Sequence, residues 1–407
     1  MRYGQYPSVT HLIGAMSPPA YDHRFFDDFD VQNKRVADQY KWTIDGPEVL
    51  PAWIAEHDFK RPPEIADAMH LVADQEAFGY CFHKSMIAPA YAKWAKDRYD
   101  WDVDPELTQP LVDCLQGVFA GITAMSAPDE AFVVTPPIYF PFLMVSGQTG
   151  REQIEWAMKN TETGWEFDVD ELDRILTKNP RARSMLLAHP HNPTGRVMSR
   201  QQLTDMVAVA AKHDIVIISD EIHADIVFPG TEFHPLLTID GAAERVISVV
   251  SAGKTFALSG VRAALGVFGN ADLQDRFVKA NPPLLLGRAS RAGLDTTIAA
   301  WTHGHAWLDG LMPYLGARRQ QLFDRLATEA PLVKGHMPEA TYLAFLDVSA
   351  CGLGADPAER LKEIAKVRFS EGNLFGTGGD GYIRFNFATS ESNLDTILDR
   401  VIPHLQG

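Results

Sequence analysis

The stretch "VVSAGKTFALSGVRAALG", from Val249 to Gly266, sets a lone lysine, Lys254, between two apolar, strand-like runs. Ser251 precedes it by three residues and Arg262 follows by eight. Lysines mostly occupy surfaces, so a solvated turn is the plainer reading of this stretch alone. The chemical reading is a lysine that forms a Schiff base with an aldehyde, with the serine and arginine placed to hold an anion. Two other stretches carry groups that complement it. "HPHNPTGRV" (His189–Val197) contains Asn192, and "SDEIHAD" (Ser219–Asp225) contains Asp220. Singly, Asn-Pro-x-Gly is a good turn and Asp-Glu after a strand can cap a helix.

Whether these groups converge depends on the elements that carry them. "AFVVT" (131–135), "SMLLA" (184–188), "IVIIS" (215–219) and "VISVV" (246–250) are short, continuous apolar runs. That is the pattern of strands buried on both faces, as in a parallel sheet. Between two of them lies "SRQQLTDMVAVAAKHD". Ser199 and Gln202 there form a capping box, and Leu203, Met206, Val207 and Ala210 share one helical face. Strand, helix and strand at this spacing read as a βαβ unit. Ligands of open parallel sheets bind at the carboxyl ends of the strands. Three such ends carry Asn192, Asp220 and Lys254, and in this order they match the needs of a pyridoxal phosphate site. The lysine forms the imine, the carboxylate keeps the pyridine nitrogen protonated, and the amide donates to the 3′-oxygen.

The remaining sequence sets the organisation. The first forty-odd residues are irregular and rich in Pro, Tyr, Phe and Asp, like an arm that packs on something else. A long helical stretch is predicted from about Asp295 to Ala330, followed by strands near "YLAFLDV" and "YIRFNFA". The predicted fold is α/β: a large domain with a mostly parallel sheet sandwiched by helices, plus a smaller α+β domain. Residues 1–62 form the arm and part of the small domain, 63–289 the large domain, and 290–407 the small C-terminal domain.

Composition narrows the function classes. The chain has 407 residues, 46% apolar and 22% charged, as in ordinary globular proteins. Three scattered cysteines, Cys81, Cys114 and Cys351, argue against a disulfide framework and for a reducing cytoplasm. The start "MRYGQYPSVTHLIGAMSPP" lacks the layout of a secretory signal, and no apolar run nears membrane-spanning length. A net charge of −16 disfavours nucleic acid and anionic membrane as partners, though not an anionic small molecule. No CxxC occurs, so no metal is expected.

"HPHNPTGRV", "SDEIHADIVFPG" and "SAGKTFALSGVR" resemble the fold-type I pyridoxal phosphate enzymes, the aspartate aminotransferase superfamily, class I/II. "PAWIAEHDFKRPPEI", "FGY", "TPPIYFPF", "AWTHGHAWLDGLMPYL", "PEATYLAFLDV" and "FGTGGDGYIRFNFA" resemble more narrowly its cystathionine β-lyase/C–S lyase branch. The resemblance implies pyridoxal 5′-phosphate as cofactor, with Lys254 as the Schiff-base lysine and the base at the substrate Cα. It implies that Asp220 pairs with the pyridine nitrogen and Asn192 with the 3′-oxygen, with His223 beside that oxygen. Tyr139 would stack on the ring. Gly117 and Val118 in "LQGVFAG" would cradle the phosphate at a helix start, together with Ser251 and Arg262. Tyr80 would reach the phosphate across a homodimer interface, giving composite active sites. Arg384 would grip the α-carboxylate of an amino-acid substrate, with pairing to Asp380 as its structural alternative.

Several positions depart from the branch. "AEHDF" replaces "ADMDF", so Glu56 and His57 are expected to alter the pocket mouth. Arg262 follows "KTF" as in transaminases, and Thr389-Ser390 replaces Cys-Pro. Arg288 and Arg291 read as surface or interface arginines, with ligand contact as the alternative. The implied activity is carbon–sulfur β-lysis of a cysteine S-conjugate or cystathionine-like amino acid to thiol, pyruvate and ammonia. The alternatives are an aminotransferase and a cofactor-binding regulator without turnover.

Overall fold

The structure is a computed structural model that describes residues 21–28, 30–79 and 84–407. Seven strands form the large sheet: β1 (Thr108–Leu111), β2 (Ala131–Val134), β3 (Glu152–Glu155), β4 (Ala182–Ala188), β5 (Val216–Asp220), β6 (Val246–Val250) and β7 (Ala264–Phe268). Their spatial order is β1-β7-β6-β5-β4-β2-β3. The apolar runs predicted as strands form the parallel centre, β6-β5-β4-β2. β7 runs antiparallel to both its neighbours. Residues 251–263 join it to β6 without an α-helix, which suits antiparallel neighbours, since parallel ones usually need a helical crossover.

Side chains alternate along each strand, so each apolar run feeds two cores. Phe132, Val134, Leu186 and Ile218 meet Val118 and Ile122 of helix α1 (Cys114–Met125). Val133, Met185, Leu187 and Ile217 meet Leu203, Met206 and Val207 of helix α2 (Arg200–Lys212) on the opposite face. Each such side chain contributes roughly 1.5–3 kcal/mol by leaving water. The α2 capping box forms as its sequence predicts.

A second, antiparallel sheet has the order β8-β9-β11-β10, from β8 (Lys334–Gly335), β9 (Leu343–Asp347), β10 (Ser370–Glu371) and β11 (Tyr382–Asn386). The N-terminal segment joins this part of the molecule, because Leu50–Pro51 pairs in parallel with Val367–Arg368. The long helical stretch predicted from about Asp295 to Ala330 consists of two helices, α3 (Arg291–His303) and α4 (His305–Glu329). They meet at Gly304, where a Cβ would lie 2.3 Å from the Phe256 ring and 2.4 Å from the Ala300 carbonyl oxygen. No helix among the described residues is long and apolar enough to cross a membrane.

Candidate active site

β4, β5 and β6 are adjacent, and their register sets Ala188 opposite Asp220 and Asp220 opposite Val249. The carboxyl ends of these strands therefore deliver Asn192, Asp220 and Lys254 to one place. All three line a cavity of about 450 Å³, as do Tyr139, His223, Ser251, Arg262 and Arg384. The loop after β4 is fixed from within: His191 Nδ1 meets Thr194 Oγ1 at 2.9 Å and Nε2 meets the Thr135 carbonyl at 3.2 Å. The Tyr139 amide donates to the Asn192 carbonyl at 3.0 Å, tying that loop to the one after β2.

Asp220 is buried, and burial pushes its carboxyl pKa up to about 7, against the Ile222 amide and the Lys254 amine, which lower it. A buried carboxylate with so little compensation is poised to receive a cation. Lys254 Nζ donates to the Ala55 carbonyl at 2.8 Å. Burial holds its pKa below the usual amine range; Glu56 opposes that shift and Arg384 adds to it. His223 is buried with both ring nitrogens lacking a partner among the described residues, and burial pushes its pKa down to about 3. It is therefore a neutral imidazole able to donate or accept.

At one end of the cavity Arg262 pairs with Asp113 at 2.8 Å. The Ser251 hydroxyl donates to the Ala263 carbonyl at 2.8 Å and accepts from the Gly253 amide at 3.0 Å. At the other end Arg384 is buried, although it is a charged residue of β11. Its Nη1 donates to Asn192 Oδ1 at 3.0 Å, and Nη2 to the Trp53 carbonyl at 2.8 Å and to Ser370 Oγ at 3.1 Å. Burial lowers its pKa to about 10. Its partners are thus not Asp380, the structural alternative. Its strand neighbours Ile383 and Phe385 turn into the core of the smaller sheet.

Other sequence expectations need correction. Gly117 and Val118 do not line the cavity: they lie a turn inside α1, and the wall is made by Asp113, Cys114 and Leu115. The glycine serves helix–sheet packing instead, since a Cβ there would lie 2.6 Å from Leu111 Cδ1 and 2.8 Å from Val249 Cγ1. Glu56 and His57 do not line the mouth either; Trp53, Ile54 and Ala55 do. His57 is buried behind Lys254, with Nε2 at 3.1 Å from the Thr255 carbonyl and its ring stacked on Phe59. Arg288 and Arg291 line a separate surface depression, and Arg291 pairs with Asp295. Tyr80 lies outside the described residues. Sequence reasoning missed Cys114, Trp53 and Ser370. Trp53 and Cys114 had a faint signal, since Trp53 lies within the quoted "PAWIAEHDFKRPPEI" and Cys114 directly precedes "LQGVFAG".

This donor set suits a planar heterocyclic aldehyde with an anionic tail. Lys254 would meet an aldehyde, Asp220 a ring nitrogen, Asn192 and His223 a ring oxygen, and Arg262 the tail. The orphaned His223 nitrogens and the buried Asp220 carboxyl, which accepts a hydrogen bond from the Ile222 amide at 3.2 Å, are the features that such a group would satisfy.

Comparison with known proteins gives the same picture. Residues 57–401 match the family model Aminotransferase class I and II. The cystathionine beta-lyase PatB of Bacillus subtilis (strain 168) is 30% identical over 386 residues, covering 92% of this chain and 98% of its own. The cystathionine beta-lyase of Corynebacterium glutamicum is 30% identical over 379 residues, covering 93% of this chain and 99% of its own. Cystalysin from Treponema denticola, whose crystal structure contains a pyridoxal 5′-phosphate cofactor, is similar with a TM-score of 0.86. It is 26% identical in sequence, with 93% of this chain and 98% of that chain covered.

Proposed function

The chain belongs to the class I and II aminotransferase family, and on that premise we propose that it is a pyridoxal 5′-phosphate-dependent carbon–sulfur β-lyase. The substrate would be a cysteine S-conjugate or a cystathionine-like amino acid, and the products thiol, pyruvate and ammonia. The observation that carries the reading is the convergence of Lys254, Asp220, Asn192, His223 and Arg384 on one cavity. Relatives named cystathionine beta-lyases, aligned over nearly the whole chain, favour lysis over transamination.

When bound, pyridoxal 5′-phosphate supplies an aldehyde and an electron-accepting ring. Lys254 would hold the aldehyde, and burial, which lowers its pKa, would favour the neutral amine that takes the proton from the substrate Cα. Asp220 would keep a proton on the ring nitrogen by charge. Asn192 and His223 would hold the ring oxygen, and Tyr139 would lie against the ring. Ser251 and Arg262 would hold the phosphate. Arg384 fixes the α-carboxylate, as a planar fork suits two carboxylate oxygens. The thiol then leaves from Cβ, and water releases ammonia and pyruvate from the remaining three-carbon unit.

We read the working form as a homodimer. Phe78 and Leu284, which are 76% and 96% exposed, line one surface depression, and apolar side chains so exposed suit a second copy. Cys114 and Cys351 are free thiols, which suits a cytoplasmic setting.

The decisive experiment incubates the protein with L-cystathionine and with S-substituted cysteines in the absence of any keto acid. Pyruvate and free thiol formed together support the lyase. A keto acid that forms only when an amino acceptor is added makes it an aminotransferase.

A further inference from the structure

We propose that Trp53 is the specificity-determining residue of this site, and that it selects cysteine S-conjugates whose departing thiol carries an uncharged, preferably aromatic, group. The inference rests on the lyase reading and narrows it.

The charges of the cavity are already allotted. Its charged lining residues are Asp113, Asp220, Lys254, Arg262 and Arg384. Arg262 and Asp113 belong to the phosphate end, where Asp113 also caps α1, and the other three serve the ring and the α-carboxylate. Besides Asn192 and Ser370, which hold Arg384, the lining includes Trp53, Ile54, Tyr40 and Phe140. No charged side chain among the described residues of the lining remains for a distal ammonium or carboxylate.

Trp53 is also held rigidly beside the substrate carboxylate site. Its carbonyl accepts from Arg384 Nη2 at 2.8 Å and from Ser370 Oγ at 3.1 Å, and Ser370 Oγ in turn accepts from the same guanidinium at 3.1 Å. Its indole Nε1 donates to the Lys41 carbonyl at 3.3 Å, so the ring offers the cavity no spare donor. The Arg368 guanidinium lies 4.0 Å from the indole centroid, itself anchored on Asp45 at 2.8 Å. The Tyr40 ring lies 5.7 Å away. A side chain leaving Cβ of an amino acid anchored on Arg384 therefore meets a fixed aromatic wall. Such a wall stabilises apolar or aromatic groups by burial and stacking. The zwitterionic far half of cystathionine would be desolvated there without a partner.

Two unreactive carboxylates isolate this selection from the chemistry, because neither carries an amine. Titration calorimetry of the cofactor-loaded protein compares 3-(benzylthio)propionate with 3,3′-thiodipropionate. The benzyl compound should bind at least about tenfold more tightly. Trp53→Ala should erase the difference, and Trp53→Phe, which keeps an aromatic wall, should retain most of it. Equal or tighter binding of the dicarboxylate, or an unchanged preference in folded Trp53→Ala protein, overturns the proposal. Pyruvate release from S-benzyl-L-cysteine and from L-cystathionine is measured alongside. If neither yields pyruvate while the carboxylates rank as stated, the lyase reading fails and the assignment of Trp53 stands.

Discussion

Arg384 Nη1 donates to Asn192 Oδ1 at 3.0 Å, so the guanidinium that would hold the substrate also orients the amide that would hold the cofactor. An amide whose oxygen is engaged leaves its NH₂ to donate elsewhere. Arg384→Lys should therefore have two effects. Loss of a charged two-bond fork should raise KM about 10- to 100-fold, the equivalent of ~1.5–3 kcal/mol. Release of the Asn192 amide should weaken cofactor binding by about 1 kcal/mol, the size of one hydrogen bond. Substrate saturation and cofactor titration on one preparation check both. An unchanged KM would mean that the carboxylate is held elsewhere.

Asp220 makes the stability of the cofactor-free protein depend on pH. Its folded pKa is pushed up to about 7 by burial, whereas the unfolded chain titrates near 4. Between those values the native state keeps a proton that the unfolded chain has lost, so stability falls as pH rises through the window. Glu221, also pushed up to about 7 by burial, acts with the same sign. Asp220→Asn removes one of the two contributions. From about pH 5 to about pH 8 the cofactor-free variant should lose ~1–3 kcal/mol less stability than the parent. Denaturant unfolding at the two pH values tests this. The loaded variant should lose several kcal/mol of barrier lowering, each ~1.4 being tenfold in turnover.

Much of the site was legible because the strands before it are continuous apolar runs. Once "SMLLA", "IVIIS" and "VISVV" are read as neighbouring buried strands, Asn192, Asp220 and Lys254 must share one end of the sheet. What escaped the sequence works through backbone or through packing. Trp53 and Ala55 meet Arg384 and Lys254 with carbonyl oxygens, which every residue has and no motif marks. The family resemblance puts Gly117 at the phosphate, on the match of "LQGVFAG" to a helix start. In the fold the close approach is to Leu111 and Val249. The need for a glycine at Gly304, where α3 and α4 meet, comes from the Phe256 ring, nearly fifty residues distant in sequence. The direction of β7 was likewise unreadable, since an apolar run carries no polarity of its own.

Lys254 is the predicted attachment point of the cofactor aldehyde. In the cofactor-free geometry its amine has the Ala55 carbonyl as partner, a hydrogen bond worth about 1 kcal/mol to give up. Borohydride reduction of the loaded protein followed by peptide mass spectrometry should place a pyridoxyl group on Lys254. Lys254→Ala should carry none and lose at least ~10³-fold in turnover, as expected when a general base is removed. Unchanged turnover in that variant would remove the whole reading.

Gly117→Ala tests the corrected role of that residue. The added methyl would sit 2.6 Å from Leu111 Cδ1 and 2.8 Å from Val249 Cγ1, so both side chains or α1 must shift. Overpacking of this kind costs about 1–3 kcal/mol. The urea midpoint should fall accordingly, with KM for substrate close to the parent value. A stable variant that has lost cofactor affinity would return Gly117 to the phosphate.

The Arg262–Asp113 pair is predicted to be an anion switch more than a stabilising contact. The two side chains are 59% and 29% exposed, and an ion pair so open to solvent is worth at most about 1 kcal/mol. Asp113 has a second role, since its other oxygen caps α1 by accepting from the Gln116 amide at 2.7 Å. Asp113→Asn keeps a good capping residue and removes the charge that competes for Arg262. The variant should therefore bind pyridoxal 5′-phosphate several-fold more tightly in dilute buffer, with little change in unfolding midpoint. Arg262→Ala should bind it about tenfold more weakly, since a charged hydrogen bond to the phosphate is lost. Both differences should shrink as salt is added, because exposed charges are screened over roughly 8 Å at physiological ionic strength. Equilibrium dialysis of the cofactor at low and high salt measures them. If neither substitution changes affinity, Arg262 serves only Asp113, and the phosphate is held without it.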